Sequence, residues 1–357
     1  MPDENLLQQT LRQHRATRTS AGLPEDPPLD GIFPDTGLAF FRTGWGAADQ
    51  WLAFDASTEF GGGHTHLSRL AMEFHAHGRT LLPDPGIFTY EMSDWRGPAS
   101  RRTAMHTTCT VDLLNQQNCG AQFLRAGADA NVGFAHGRYS GGYWPGRYAW
   151  GFREGHGPGV YGSHDRILLW FKNRFLLVLD SLVTDPAHVC YSHWQLDAGP
   201  CRPWADRLAV ETQGAEANAL VRLLPLYPQA NRVSLTVYEG DEHAQLGFIG
   251  RAGSVIPAPL LSWRLDACEM ETAALIVPFT SRAPSFEWDC QPIAGTNKRA
   301  LTVRWADGSR DSICWKHRLS SRLGRFQCGG EAFHSNALLI ARSQTPDGAP
   351  RTFEVLQ

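Results

Sequence analysis

The chain has 357 residues, 42% of them hydrophobic, enough for one large β domain or two ordinary ones with a sizeable core. A net charge of -3 argues against a general nucleic-acid binder, which needs a basic excess. The most apolar run, ILLWFKNRFLLVLD, is broken by Lys172 and Arg174 and is too short to span a bilayer.

The amino terminus, MPDENLLQQTLRQHR, lacks the basic segment and apolar run of a signal peptide, so no export signal is expected and the compartment stays open. Residues 4–15 read as a short helix with Leu6, Leu7 and Leu11 on one side, and GLPEDPPLDGIFPD reads as a linker. After it the pattern changes to short alternating runs. LAFFRTG and QWLAFDAS read as a strand pair. In RLAMEFHAHG, Met72, Phe74 and Ala76 share one face and Glu73, His75 and His77 the other. ILLWF and RFLLVLDSLV are apolar enough to be buried on both faces, and RVSLTVYEG alternates. RALTVRWADGSRDSICW reads as a hairpin turning at Asp307-Gly308. The expected fold is mainly β: a large antiparallel sandwich of two sheets over residues 32–357, behind a helical stub and proline-rich linker at residues 1–31. Eight cysteines without a CxxC pair make a cysteine-rich zinc site unlikely and read as buried thiols.

The chemistry concentrates in GGGHTHLSRLAMEFHAHGRTLLPDPG, from Gly61 to Gly86. Read as a strand, HxH puts His64 and His66 on one side, about 7 Å apart by strand rise. Both rings then bind one metal, or one binds metal while the other faces substrate. Asp84, fixed between two prolines, is a ligand or a turn-capping group. Three glycines before the pair allow close approach of backbone or ligand, but the run lacks the GK[ST] ending of a phosphate loop. His75 and His77 read as ordinary strand histidines.

This stretch, followed by SRRTAMHTTCTVDLLNQQ, resembles the β-sandwich domain of heparinase II/III-like polysaccharide lyases, a group that includes oligoalginate lyases. The likeness spans about residues 33–345, and HDRILLWFKNRFLLVLDSLV matches a strand pair closing on Asp180. It implies that His64 faces the active site, while His66, Asp84 and a later histidine hold a structural zinc. His136 is assigned as that third ligand, with His106 as its substitute. Ser68 and Arg69 stand where the family often has an aspartate, and Thr107 replaces its asparagine. The reaction implied is β-elimination on a uronate glycan, with an acidic polysaccharide or oligosaccharide as partner and neither nucleic acid nor membrane. Tyr90, Arg101, Arg102 and His106 are candidate substrate contacts, and Trp95 and Trp144 candidate stacking groups. Family members usually carry an α/α toroid that supplies a catalytic tyrosine. It is expected to be absent here, through truncation, a fragmentary gene or its encoding as another chain. The alternatives are a non-catalytic carbohydrate-binding or structural sandwich with a structural zinc, and a zinc hydrolase with an open metal position.

Overall fold

A computed structural model describes residues 12–13, 15–22, 26–58, 64–91, 93–145, 148–149, 152–153, 159–293, 298–316, 324–328, 331–335, 337–348 and 350–355. Residues 12–13 and 15–20 are helical, while Leu6, Leu7 and Leu11 of the expected stub lie outside the described residues, as do Gly61–Gly63. Beyond that stub the described chain is strands, three short 3-10 turns and one four-residue helix, Arg96–Ala99.

The chain divides into two compact units, one ending at Ser281 and one beginning at Arg282, where a single domain over 32–357 was expected. In the first unit an antiparallel eight-stranded sheet runs in the order Cys201–Trp204, Ala209–Thr212, Asn218–Tyr227, Glu269–Phe279, Phe175–Thr184, Gly162–Phe171, Val132–Tyr139 and Gln122–Ala128. A five-stranded sheet takes Gly31–Phe33, Leu38–Arg42, Trp51–Asp55, Ala71–Ala76 and Arg79–Leu82 in chain order. A four-stranded sheet pairs Val233–Tyr238, Leu260–Leu265, Cys190–Gln195 and Cys109–Val111. One apolar cluster joins all three, holding Phe41, Phe54 and Phe74 from the five-stranded sheet, Trp170 and Val178 from the eight-stranded sheet, and Trp194 and Trp263 from the four-stranded sheet. The sandwich is thus the eight-stranded sheet on one side and the two smaller sheets on the other.

Period-two alternation explains the inner faces. Met72, Phe74 and Ala76 are at most 3% exposed, while Glu73 and His75 are half-buried. Phe74 meets Trp170 edge-on across the layers at 6.0 Å. Glycine sets the spacing. A Cβ on Gly137 would come within 2.7 Å of Leu70 and 2.8 Å of Ala56, and one on Gly133 within 2.9 Å of the Phe41 ring. The hairpin Gly162–Phe171 with Phe175–Thr184 lies inside the eight-stranded sheet, and its residues 167–171 are all buried, as their continuous apolar run predicts.

The second unit is an antiparallel sheet of Phe286–Ile293, Lys298–Trp305, Arg310–Lys316, Leu339–Gln344 and Arg351–Val355, with a separate hairpin, Gly324–Cys328 and Glu331–Ser335. The expected turn at Asp307-Gly308 is present, with Gly308 at φ 87.

Candidate metal centre and active site

His64 and His66 lie on a loop, not on the strand expected for them. Strand structure begins only at Ala71. Four consecutive buried residues, Leu67 to Leu70, replace alternation, and Leu70 turns into the strand at φ 64. Backbone and side-chain bonds pin this loop. Leu67 N donates to Arg101 O at 3.0 Å and Leu70 N to Asp55 O at 2.6 Å. The Gln116 amide grips Arg69 at both ends, accepting from its N–H at 2.7 Å and donating to its carbonyl at 2.9 Å. Ser68 Oγ donates to Asp55 at 3.2 Å, so the serine in the family's aspartate position is tied into the fold. Arg69 is buried and pairs with Asp55, away from solvent.

The strand Arg79–Leu82 ends just before Asp84. Asp84 Oδ1 accepts from Gly86 N–H at 2.9 Å, closing a turn in which Gly86 adopts φ 71. Pro85 O accepts from Gly250 N at 2.7 Å, which braces the turn. Asp84 Oδ2 accepts from His106 Nδ1 at 2.8 Å, and the His66 and His106 rings lie 5.2 Å apart. The donor atoms of His66, Asp84 and His106 fall within 4.8 Å of one another.

Two imidazoles and a carboxylate on converging loops suit zinc in type. Burial, then the neighbouring His106, pushes His66 down to about 4, so its ring is neutral at neutral pH with a lone pair to give. Burial alone would raise the Asp84 carboxyl, but His106, His66 and the Gly86 N–H outweigh it and hold Asp84 at about 2. His106 is fully buried, and its Nε2 has no hydrogen-bond partner among the described residues. A buried polar atom of that kind fits a group yet to be bound. The three residues therefore fit a metal ion.

His136, expected as the third ligand, is not brought to this group. It lies on the strand Val132–Tyr139, where its Nε2 donates to Asp165 at 3.2 Å, and His106 stands beside Asp84 instead. His75 is held by its own contacts: it stacks on Trp51 at 5.7 Å, donates from Nε2 to Ala47 O and accepts from Thr80. His77 has left the strand for a turn at φ 54.

His64 is exposed, and its ring meets Tyr90 edge-on at 5.9 Å. Tyr90 is 58% exposed, so a phenol and an imidazole face solvent together next to the three-donor group. Arg101, a candidate substrate contact, is instead fully buried, and its charge depresses His66. Arg102 donates to Ala244 O at 3.2 Å and lines a separate cavity.

Two features escaped sequence reasoning. Glu73 is raised to about 6 by burial and by Asp84, and so belongs to the surroundings of the centre. More telling is a buried clamp beneath both ligand loops. Arg166, fully buried, binds both Asp180 oxygens at 2.7 and 2.9 Å, and its Nη1 donates to Leu70 O at 2.8 Å and Thr107 O at 2.6 Å. His164 Nε2 adds a bond to Asp180 at 2.8 Å. Cys109, His164 and Asp180 form a second donor cluster, but the Arg166 guanidinium already neutralises its carboxylate. The period-two spacing of His164 and Arg166 opposite Asp180 was the available signal.

Among known proteins, the profile of the heparinase II/III-like C-terminal domain matches residues 26–244, more than half of the chain. A heparin-sulfate lyase of Pedobacter heparinus is 23% identical over 221 residues, covering 59% of this chain and 30% of that protein. The crystal structure of heparan sulfate lyase HepC from the same organism superposes with TM-score 0.67 at 18% identity over 86% of this chain and 49% of its own. A heparinase III gene product superposes with TM-score 0.68 at 15% identity, over 86% of this chain and 47% of its own. The chain thus spans less than half the length of these relatives. By its matched residues and its sandwich, the chain belongs to the heparinase II/III-like family.

Proposed function

We propose that the chain is the sandwich portion of a lyase that cleaves uronate-containing glycans by β-elimination. The observation that carries this is the exposed pair His64 and Tyr90 beside the His66, Asp84 and His106 group. His66, Asp84 and His106 would hold zinc, which supplies a cross-link among three loops. His64 stands outside this ligand set, with an imidazole that can take the C5 proton of a uronate. The electron pair of that C–H bond forms the C4–C5 double bond, and the C4–O bond breaks. The departing oxygen then takes a proton; within this chain Tyr90, whose ring meets His64, is the candidate donor, and a toroid would bring the tyrosine that the family resemblance implies. The uronate carboxylate must be neutralised while charge builds at C5. The relatives are longer than this chain, so the full activity is part of the proposal, and so is a toroid domain or chain completing the site.

The test is to incubate the chain with heparan sulfate, unsulfated heparosan, chondroitin, hyaluronan and alginate, alone and with a family toroid supplied in trans. The rise in ultraviolet absorbance of the conjugated double bond is followed for wild type and His64→Ala. Unsaturated product that disappears in His64→Ala supports the reading. No product on any polymer, with metal still bound, contradicts it and leaves a structural or binding sandwich.

A further inference from the structure

The segment that carries Arg101 and His106 also walls a cavity that the metal centre does not use. Its volume is about 370 Å³, and Trp95, Arg102, Asn115, Trp144, His243 and Gln245 line it. Ligand pockets commonly run from about 300 to 1,000 Å³. Among the described residues neither His64, Tyr90 nor any of the three metal-ligand candidates lines it.

Its walls are fixed in advance. Trp144 is 8% exposed, with its indole N–H donated to Gln116 O at 3.1 Å. The Trp95 ring packs on Phe248 at 5.4 Å. Arg102 ties its own segment to the facing loop through Ala244 O. Both loops hold non-glycine residues in the left-handed region, Asp112 at φ 49 and Leu113 at φ 61 on one, Gln245 at φ 56 on the other. A leucine at positive φ is costly and persists only where the surroundings impose it. The imposing contacts are present: Asp112 accepts from Val189 N at 2.9 Å, Leu114 N donates to Val111 O at 2.7 Å, and Ala244 N donates to Asp241 at 2.8 Å.

The lining chemistry is selective. Two indoles offer flat apolar faces, Gln245 offers an amide for hydroxyls, His243 an imidazole, and Arg102 positive charge. No acidic side chain lines the cavity among the described residues. A guanidinium pairs bidentately with a carboxylate or a sulfate. We infer that this cavity binds one anionic sugar unit of a glycan, at a subsite apart from the unit that reacts at His64. The inference rests on the proposed function only in taking the ligand to be a glycan.

Isothermal titration tests it with three tetrasaccharides: unsulfated heparosan, its N-sulfated form and neutral maltotetraose. The two acidic probes bind and the neutral one does not, and the stronger of the two identifies carboxylate or sulfate as the paired group. Arg102→Gln weakens binding about tenfold, the loss of one charge-assisted pair. Trp95→Ala weakens it likewise, and decides the matter if Arg102→Gln melts below wild type. Equal affinity for maltotetraose overturns the inference. So does binding lost in His64→Ala but kept in Arg102→Gln and Trp95→Ala, a result that leaves the lyase reading standing. Binding of no acidic probe also overturns it, while the absorbance assay judges the lyase reading separately.

Discussion

His193 shows at a single residue how burial becomes a pH dependence. It is fully buried, with Nε2 against Thr110 Oγ1 at 2.8 Å, and burial, then the charge of Arg102, pushes it down to about 3. In the unfolded chain it titrates near its ordinary 6.5. Between those values the unfolded state binds the extra proton, so stability falls as pH drops from about 6.5 to about 3, and this loss is complete below that. The full effect is on the order of 5 kcal/mol. His193→Gln should flatten the urea-derived stability curve over that window relative to wild type; an unchanged slope would contradict it. At the same scale, part of the centre was legible in the sequence and part was not. HxH and DPG are local strings, so the family resemblance could assign His66 and Asp84 from the sequence, and the structure brings both together. The third donor comes from tertiary proximity. His106 and His136 both follow DPG, and only the folded chain shows that His106 meets Asp84 while His136 meets Asp165.

Elements bring these residues together through the Arg166 clamp. Arg166 and Asp180 face each other across one hairpin, and Arg166 also holds the carbonyls of Leu70 and Thr107. Those carbonyls belong to the loop after His66 and to the residue next to His106, so one guanidinium fixes both ligand segments. Its positive charge and the hydrogen bond from His164 more than offset the burial of Asp180, holding the carboxyl well below the usual range. Arg166→Met leaves a buried carboxylate uncompensated and should cost about 3–5 kcal/mol in urea unfolding, whereas Arg166→Met with Asp180→Leu should recover much of it. A single variant as stable as wild type would contradict the clamp. The alternation that revealed Ala71–Ala76 and Val233–Tyr238 also suggested a strand at His64–His66. Alternation cannot distinguish a strand from a loop whose Leu67–Leu70 are all drawn inward by Asp55, Arg101, Gln116 and Arg166.

Over the whole molecule, three loops meet at the centre: 64–70, the turn at Asp84 and the segment ending at His106. None of them is regular strand there, so a metal held by all three would contribute to stability by binding only the folded form. A chelator should lower the melting temperature of the chain by roughly 10 °C, at about 2–4 °C per kcal/mol for a unit of this size. An unchanged melting curve would mean that no bound ion supports the fold. The mainly β sandwich was legible because many short alternating runs leave few other architectures. The division at Ser281 was not, because strands continue on both sides of it, from Glu269–Phe279 to Phe286–Ile293.

The central claim is that His66, Asp84 and His106 hold one metal ion beside His64. Its most direct measurement is the zinc content, by plasma mass spectrometry, of the wild-type chain, His106→Ala and His136→Ala after equilibration with zinc and removal of unbound ion. The structure predicts about one zinc per wild-type and His136→Ala chain, and near zero for His106→Ala. Full zinc in His106→Ala, or its loss in His136→Ala, would contradict it.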